Sequence, residues 1–168
     1  RWMTKSEFEQ VILQQKDKLY RFAFSIVKNS DDAQDAVQEV VLKLWKNKHL
    51  LDRAKNLESY CLNAVKNHCF DVLRKQKLQQ NYEQNVWVNA TTEPEIEQLD
   101  LVEKLKQELY RLPDQQRLAV SLKDIEGFDY REISEILEQS VETIRVNVSR
   151  GRKKLVELFK EELKDAYQ

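Results

Sequence analysis

Chain breakers are scarce. Two glycines and two prolines occur in 168 residues, against usual shares of about 7% and 5%. Few turns are demanded, so long helices are favoured. No apolar run approaches the ~20 residues a membrane span needs, and there is no signal-peptide core. Met3 is the expected natural start, and Arg1 and Trp2 are left out of the reading. Cysteine is also sparse. Cys61 and Cys69 form no Cys-x-x-Cys pair, and with His49 and His68 they do not give metal-ligand spacing. Two semi-buried thiols in a reduced, cytoplasmic setting are expected, with no metal and no cofactor. No glycine-rich phosphate loop and no Ser/His/Asp arrangement is present. Two histidines in the whole chain leave little general-base chemistry, so a non-catalytic protein is expected.

Charge is abundant but uneven. The net charge of -1 conceals 15 basic and 10 acidic residues over 1–78, four acids and no base over 79–98, and 13 basic and 15 acidic residues over 99–168. A near-neutral total therefore does not argue against nucleic acid, because local stripes decide.

Helical periodicity organises the chain. Thr4-x-x-Glu7 reads as a capping box. Phe8, Val11, Ile12, Leu19, Phe22, Ala23 and Ile26 follow at helical spacing. Asn29 to Asp31 can cap a second helix, with core stripe Ala33, Ala36, Val37, Val40, Val41 and Leu44. "NKHLLDRAKN" loses periodicity and reads as a loop. A third helix is expected over 57–77, with Leu62, Val65, Cys69, Val72 and Leu73 inward. Three such helices make a small bundle. Residues 79–98 are polar and acidic and read as a linker, although Tyr82, Val86, Trp87 and Val88 are apolar enough to dock. A second helical domain over 99–168 follows. "LDLVEKLKQELYRL" stops before Pro113, Gly127 ends the next helix, and Asp129 with Glu132 opens "YREISEIL".

The three-residue turn "EQS" then leads into a long helix, which completes a helix-turn-helix. Its second helix is the one that enters the major groove. Ser140 is a good N-cap. Ile144, Val148 and Leu155 are expected to pack against Ile133, Ile136 and Leu137. Thr143, Val146, Asn147, Ser149, Arg150 and Lys153 are left outside, with Arg145 on the flank. Arg can read guanine edges bidentately, Asn adenine, and Val a thymine methyl, while the remaining cations grip phosphates. The stripe alone also fits a solvated surface helix; the turn and the preceding helix favour DNA. The turn usually holds glycine, yet here it holds Glu138, which at positive φ would cost about 1 kcal/mol.

At this point the chain resembles the bacterial sigma factors of the extracytoplasmic-function (ECF) group. "LYRFAFSIVKNSDDAQDAVQEVVLKLWKN" and "SYCLNAVKNHCFDVLRK" are similar to their region two. "LPDQQRLAVSLKDIEGFDYREISEILEQSVETIRVNVSRGRKKL" is similar to region four. The resemblance implies an all-α protein of two small helical domains. Region two (4–78) is a three-helix bundle that binds core polymerase and recognises and melts the minus-ten element. A linker (79–98) joins it to region four (99–168), whose helix-turn-helix reads the minus-thirty-five element.

It also implies roles. The second helix would dock on the clamp helices of the polymerase β′ subunit through Asp32, Asp35, Gln38, Glu39 and Lys43, and region four would meet the β flap. The minus-ten reader would draw on Lys48, His49, Arg53, Lys55 and Asn56 of the loop. From the following helix it would draw on Tyr60, Asn63, Lys66, Asn67, Arg74 and Lys75. Unpaired bases can be held there by stacking and edge hydrogen bonds. Tyr60 stands where the family often has Trp, and Asn63 where it often has Arg. Asp71 reads as a surface hydrogen-bonding residue. Glu93, Glu95 and Glu97 of the linker either mimic nucleic-acid charge or serve as an acidic spacer. Family members are often held inactive by an anti-sigma protein; the sequence identifies none. The rival reading is a free-standing helix-turn-helix regulator with an N-terminal partner or ligand domain. The separate basic N-terminal domain and the lack of a dimerising heptad argue against it.

Overall fold

A computed structural model describes residues 3–82 and 101–166. The described residues form helices and connecting turns, with no strand among them. Four helices precede the linker: α1 (Lys5–Val27), α2 (Ser30–Lys46), α3 (Lys48–Leu51) and α4 (Leu57–Tyr82). Four follow it: α5 (Leu101–Arg111), α6 (Asp114–Val120), α7 (Tyr130–Leu137) and α8 (Val141–Ala166). This is the all-helical, two-domain arrangement that the periodicity predicts. None of the described helices is long and apolar enough to cross a membrane.

Local chemistry fixes the helix ends. The Thr4 hydroxyl accepts from the Glu7 amide (3.2 Å) and the Glu7 carboxylate accepts from the Thr4 amide (2.8 Å), a complete capping box. Asn29 caps α2 by accepting from Asp32 N at 3.0 Å. Asn56 caps α4 by accepting from Ser59 N at 3.1 Å. Asp129 and Glu132 repeat the capping box on α7, and Ser140 accepts from Thr143 N at the start of α8. These groups occupy donors that a helix start leaves unpaired.

Three expectations need correction. "NKHLLDRAKN" is not wholly loop: Lys48–Leu51 makes a helical turn because Leu51 must be buried (2% exposed). The third helix runs on from Lys77 to Tyr82, since nothing in that stretch breaks it. The helix after Pro113 does not continue in regular form to Gly127. It widens into a π-helical turn over Ser121–Ile125, with Glu126 N bonded to Ser121 O (3.0 Å), and Gly127 then takes φ +78°.

The core is continuous. Phe8, Leu19, Phe22, Ile26, Val40, Leu62 and Val65 of the first four helices share one cluster with Leu118, Leu122, Ile133, Ile136, Ile144 and Val148. Each such side chain, when fully buried, contributes about 1.5–3 kcal/mol. Leu155 packs elsewhere than expected, in a separate cluster with Leu109, Leu112 and Val120. Gly151 permits that approach of α8 to α6, because a Cβ there would lie 2.6 Å from Val120 Cγ2. Cys61 and Cys69 are fully buried free thiols, and burial pushes them up to about 11 and about 12.

Candidate nucleic-acid interface

The first candidate surface is the outer face of α8. Ser140 and Thr143 fix its first turn, with their hydroxyls 2.8 Å apart. Ile144 and Val148 are buried against α7, which turns Thr143, Val146, Ser149, Arg150 and Lys153 outward, all exposed. Val146 is 44% exposed, an apolar contact offered among polar ones. Asn147 is half-buried. Arg145 lies over the Tyr130 ring, 5.2 Å from its centroid, so α7 steadies it on the flank. Arg152 points the other way and pairs with both Asp124 oxygens at 2.8 and 2.5 Å. The arrangement is a rigid helix with a narrow polar stripe, a shape that fits a major groove.

The turn before α8 holds the backbone that the sequence anticipates. Glu138 takes φ 54° and ψ 45°. Ser134 Oγ donates to Gln139 O across the turn.

The second surface lies on the other domain. Lys48 sits 3.8 Å from the Trp45 ring centroid, while His49, Arg53 and Lys55 are exposed. A cavity of about 270 Å³ opens behind them, lined by Lys55, Asn56, Ser59, Tyr60 and Asn63 on this side. Ser59 is 4% exposed, and its Oγ has no hydrogen-bond partner. Tyr60 is 37% exposed. Asn67 donates to Asn63 Oδ1 at 3.1 Å. Further along α4, Arg74 and Lys75 both reach Asp71, at 3.4 and 3.3 Å, and remain largely exposed. Asp71 thus orders two cations on the helix surface.

Two of the expected minus-ten residues face the second domain here. Asn63 Nδ2 donates to Ile136 O at 2.8 Å, and Lys66 Nζ pairs with Glu138 at 3.0 Å. Lys66 is only 8% exposed. Glu135 and Glu138 of the second domain complete the wall of the cavity. Sequence reasoning missed both glutamates as neighbours of this face; the one signal was the anomalous residue at the turn.

The third surface is the outer stripe of α2. Asp35, Gln38, Glu39 and Lys43 are exposed along it, and Asp32 is half-buried, accepting from Gln76 at 3.4 Å. Leu42, 55% exposed, stands on the same stripe three residues after Glu39 and was missed because it was counted with neither face. An apolar side chain among charged ones suits helix-on-helix docking. Lys43 approaches His68 Nδ1 at 3.4 Å. Burial first, and the Lys43 charge second, hold the imidazole below its ordinary pKa.

Comparison with known proteins settles the family. Residues 11–79 match the family description "Sigma-70 region 2", and residues 103–155 match "Sigma-70, region 4". Two Bacillus subtilis relatives align almost end to end. The ECF RNA polymerase sigma factor SigW is 26% identical over 161 residues, covering 88% of this chain and 86% of that one. The RNA polymerase sigma factor SigV is 29% identical over 163 residues, covering 95% and 96%. The sigma factor RpoE of Bartonella quintana, solved with the anti-sigma factor NepR, superposes with a TM-score of 0.78 at 29% identity, over 92% of this chain and 97% of that one. The chain belongs to the ECF sigma factors. It directs promoter-specific transcription initiation with core RNA polymerase, and the free-standing regulator is not favoured. Within the sigma factor, α1 to α4 thus correspond to region two and α5 to α8 to region four.

Proposed function

We propose that the three surfaces divide the work of initiation. The outer stripe of α2, with Asp35, Gln38, Glu39, Leu42 and Lys43, docks on the β′ clamp helices of core polymerase, and region four meets the β flap. The loop before α4 and its outer face take the minus-ten element. Tyr60 offers a stacking surface, and the orphaned Ser59 hydroxyl can bond a base edge within the cavity beside it. The outer face of α8 reads the minus-thirty-five element. The observation that carries this division is the exposed stripe of Thr143, Val146, Ser149, Arg150 and Lys153 on a helix whose start is capped and whose inner face is buried.

The chain acts as a specificity subunit with no catalytic step of its own, in the bacterial cytoplasm. An anti-sigma protein is a further partner in this reading, because the similar RpoE was solved bound to one. Co-elution of the full chain with core RNA polymerase tests the assignment. A stable complex is expected, lost in the Asp35→Lys, Glu39→Lys double variant. No complex with the parent chain, together with sequence-specific DNA binding by the chain alone, would overturn it.

A further inference from the structure

A cavity of about 490 Å³ opens between α2 and α4, and every residue that lines it belongs to region two. Its size falls in the range of small-ligand sites, about 300–1,000 Å³. The half-buried ring of Phe70 contributes to its apolar lining. Its polar lining is Lys43, Asn67, His68, Asp71 and Arg74. The cavity lies where the docking stripe of α2 meets the far part of the α4 face, and neither assignment uses it as a cavity.

The polar groups carry a readable pattern. Lys43 Nζ stands 3.4 Å from His68 Nδ1. An ammonium only donates, so Nδ1 accepts and the ring proton sits on Nε2. Burial and the Lys43 charge both oppose a second proton and outweigh Glu39 and Asp71, which favour one. His68 therefore offers one N–H donor, on the ring atom away from Lys43. Asp71 pairs with Arg74 at 3.4 Å through one oxygen and with Lys75 at 3.3 Å through the other. Each carboxylate oxygen has two lone pairs, so Asp71 can still accept. A donor and an acceptor together match a base edge that carries an amino group beside a ring-nitrogen acceptor, as in adenine and cytosine; thymine has no amino group. Phe70 is a surface on which a base can stack. Lys43 and Arg74 outnumber the single carboxylate of the lining, which suits a phosphate.

We propose that this cavity is a second nucleotide seat, which takes an unpaired adenine or cytosine of the displaced strand on Phe70, its edge between His68 Nε2 and Asp71 and its phosphate on Lys43 and Arg74. This rests on the assignment of the α4 face to the minus-ten strand. The seat is distinct from the cavity beside Ser59 and Tyr60, which takes part of its wall from region four. Its own walls are all in region two, so it is complete in the chain before polymerase arrives. Lys43 also stands on the stripe given to the β′ clamp helices, so a strand seated here runs along the edge of the docked polymerase.

The test combines a binding curve with a cross-link on the full chain. The probes are two short fluorescent single strands, one all thymidine and one with a single central deoxycytidine, titrated by fluorescence anisotropy. The parent is expected to bind the deoxycytidine strand about tenfold more tightly. Phe70→Leu keeps an apolar side chain in the wall and removes the ring; His68→Leu removes the donor. Each should lose the preference while binding the all-thymidine strand within about twofold of the parent. A central 5-iododeoxycytidine, irradiated in the parent complex, should cross-link to the part of α4 that carries Phe70. That measurement needs no variant and stands if either one fails to fold. A preference that survives both substitutions, or a cross-link at Tyr60 instead, overturns the second seat and leaves the minus-ten assignment standing. No cross-link anywhere in region two overturns both. Equal binding of the two strands by the parent also overturns the seat, and loss of co-elution with core polymerase in Phe70→Leu would then give the cavity to the polymerase.

Discussion

Replacing Arg117 by Met should destabilise the chain by about 2–4 kcal/mol, and the structure gives the reasons. The guanidinium is 1% exposed. Nε donates to Ser25 O at 2.7 Å, Nη1 to Leu112 O at 3.1 Å, and Nη2 to Asp114 at 2.8 Å. Met fills much of the same volume, so the cavity contribution is small. The Asp114 side chain is 56% exposed and returns to water at little cost. The two buried carbonyls do not, and each unpaired acceptor costs about 1–3 kcal/mol. Relief from desolvating the guanidinium offsets part of this sum.

One of those carbonyls belongs to α1 and the other to the α5–α6 corner, so the loss falls partly on the contact between the domains and partly inside region four. Urea unfolding of the full chain, followed by far-ultraviolet circular dichroism, measures it. Lys at the same position can restore one bond and should fall between parent and Met. A Met variant within about 0.5 kcal/mol of the parent would refute the reasoning, because it would mean that the carbonyls find water at no cost.

Gly151→Ala should cost about 1–3 kcal/mol, since its Cβ meets Val120 Cγ2 at 2.6 Å, and Val120→Ala in the same chain should recover most of that in urea unfolding. Arg150→Ala should weaken binding to the cognate minus-thirty-five duplex by ~1–3 kcal/mol if the side chain reads a base; equal weakening on all sequences would make it a phosphate contact. The Lys66 hydrogen bond holds the Glu138 carboxyl below its ordinary value of 4.5. Lys55 and Glu135 share its cavity. A depressed carboxylate stabilises above its unfolded pKa and loses that contribution as pH falls through the folded value. Parent and Glu138→Gln should therefore differ in stability at neutral pH and converge in acid, as paired unfolding curves across pH would show.

Much of the fold was legible because its signals are local. The capping boxes at Thr4 and Asp129 and the stripe from Ala33 to Leu44 need no distant partner, and each stands in the structure where the spacing puts it. Glu138 was legible too, as a residue in a turn that prefers glycine. The missed features are long-range. Arg117 looks like any helical arginine until Ser25 arrives 92 residues away. Lys66 looks like a solvent cation until α7 covers it. The π-helical turn at Ser121–Ile125 answers to packing, with Leu122 fully buried and Ile125 turned outward, and has no composition of its own. Of the candidate sites, the outward exposure of the α8 stripe could be read from the periodicity of its own helix, while its reading as a DNA face needed the turn and the helix before it. The α4 face could not, because its surroundings come from the other domain.

The burial of Lys66 has a consequence for the chain at large in a cell. A chromosome is a vast excess of phosphate, and every solvent-facing cation on a small basic domain is drawn to it regardless of sequence. Each phosphate neutralised adds about 0.9 to the salt exponent of that attraction. With buried Lys66 held 3.0 Å from Glu138, and the more exposed Arg21 paired with Glu126, two cations of the basic first domain are partly neutralised internally. The chain is thereby less titrated by bulk DNA, and a larger share of it stays free to diffuse to polymerase.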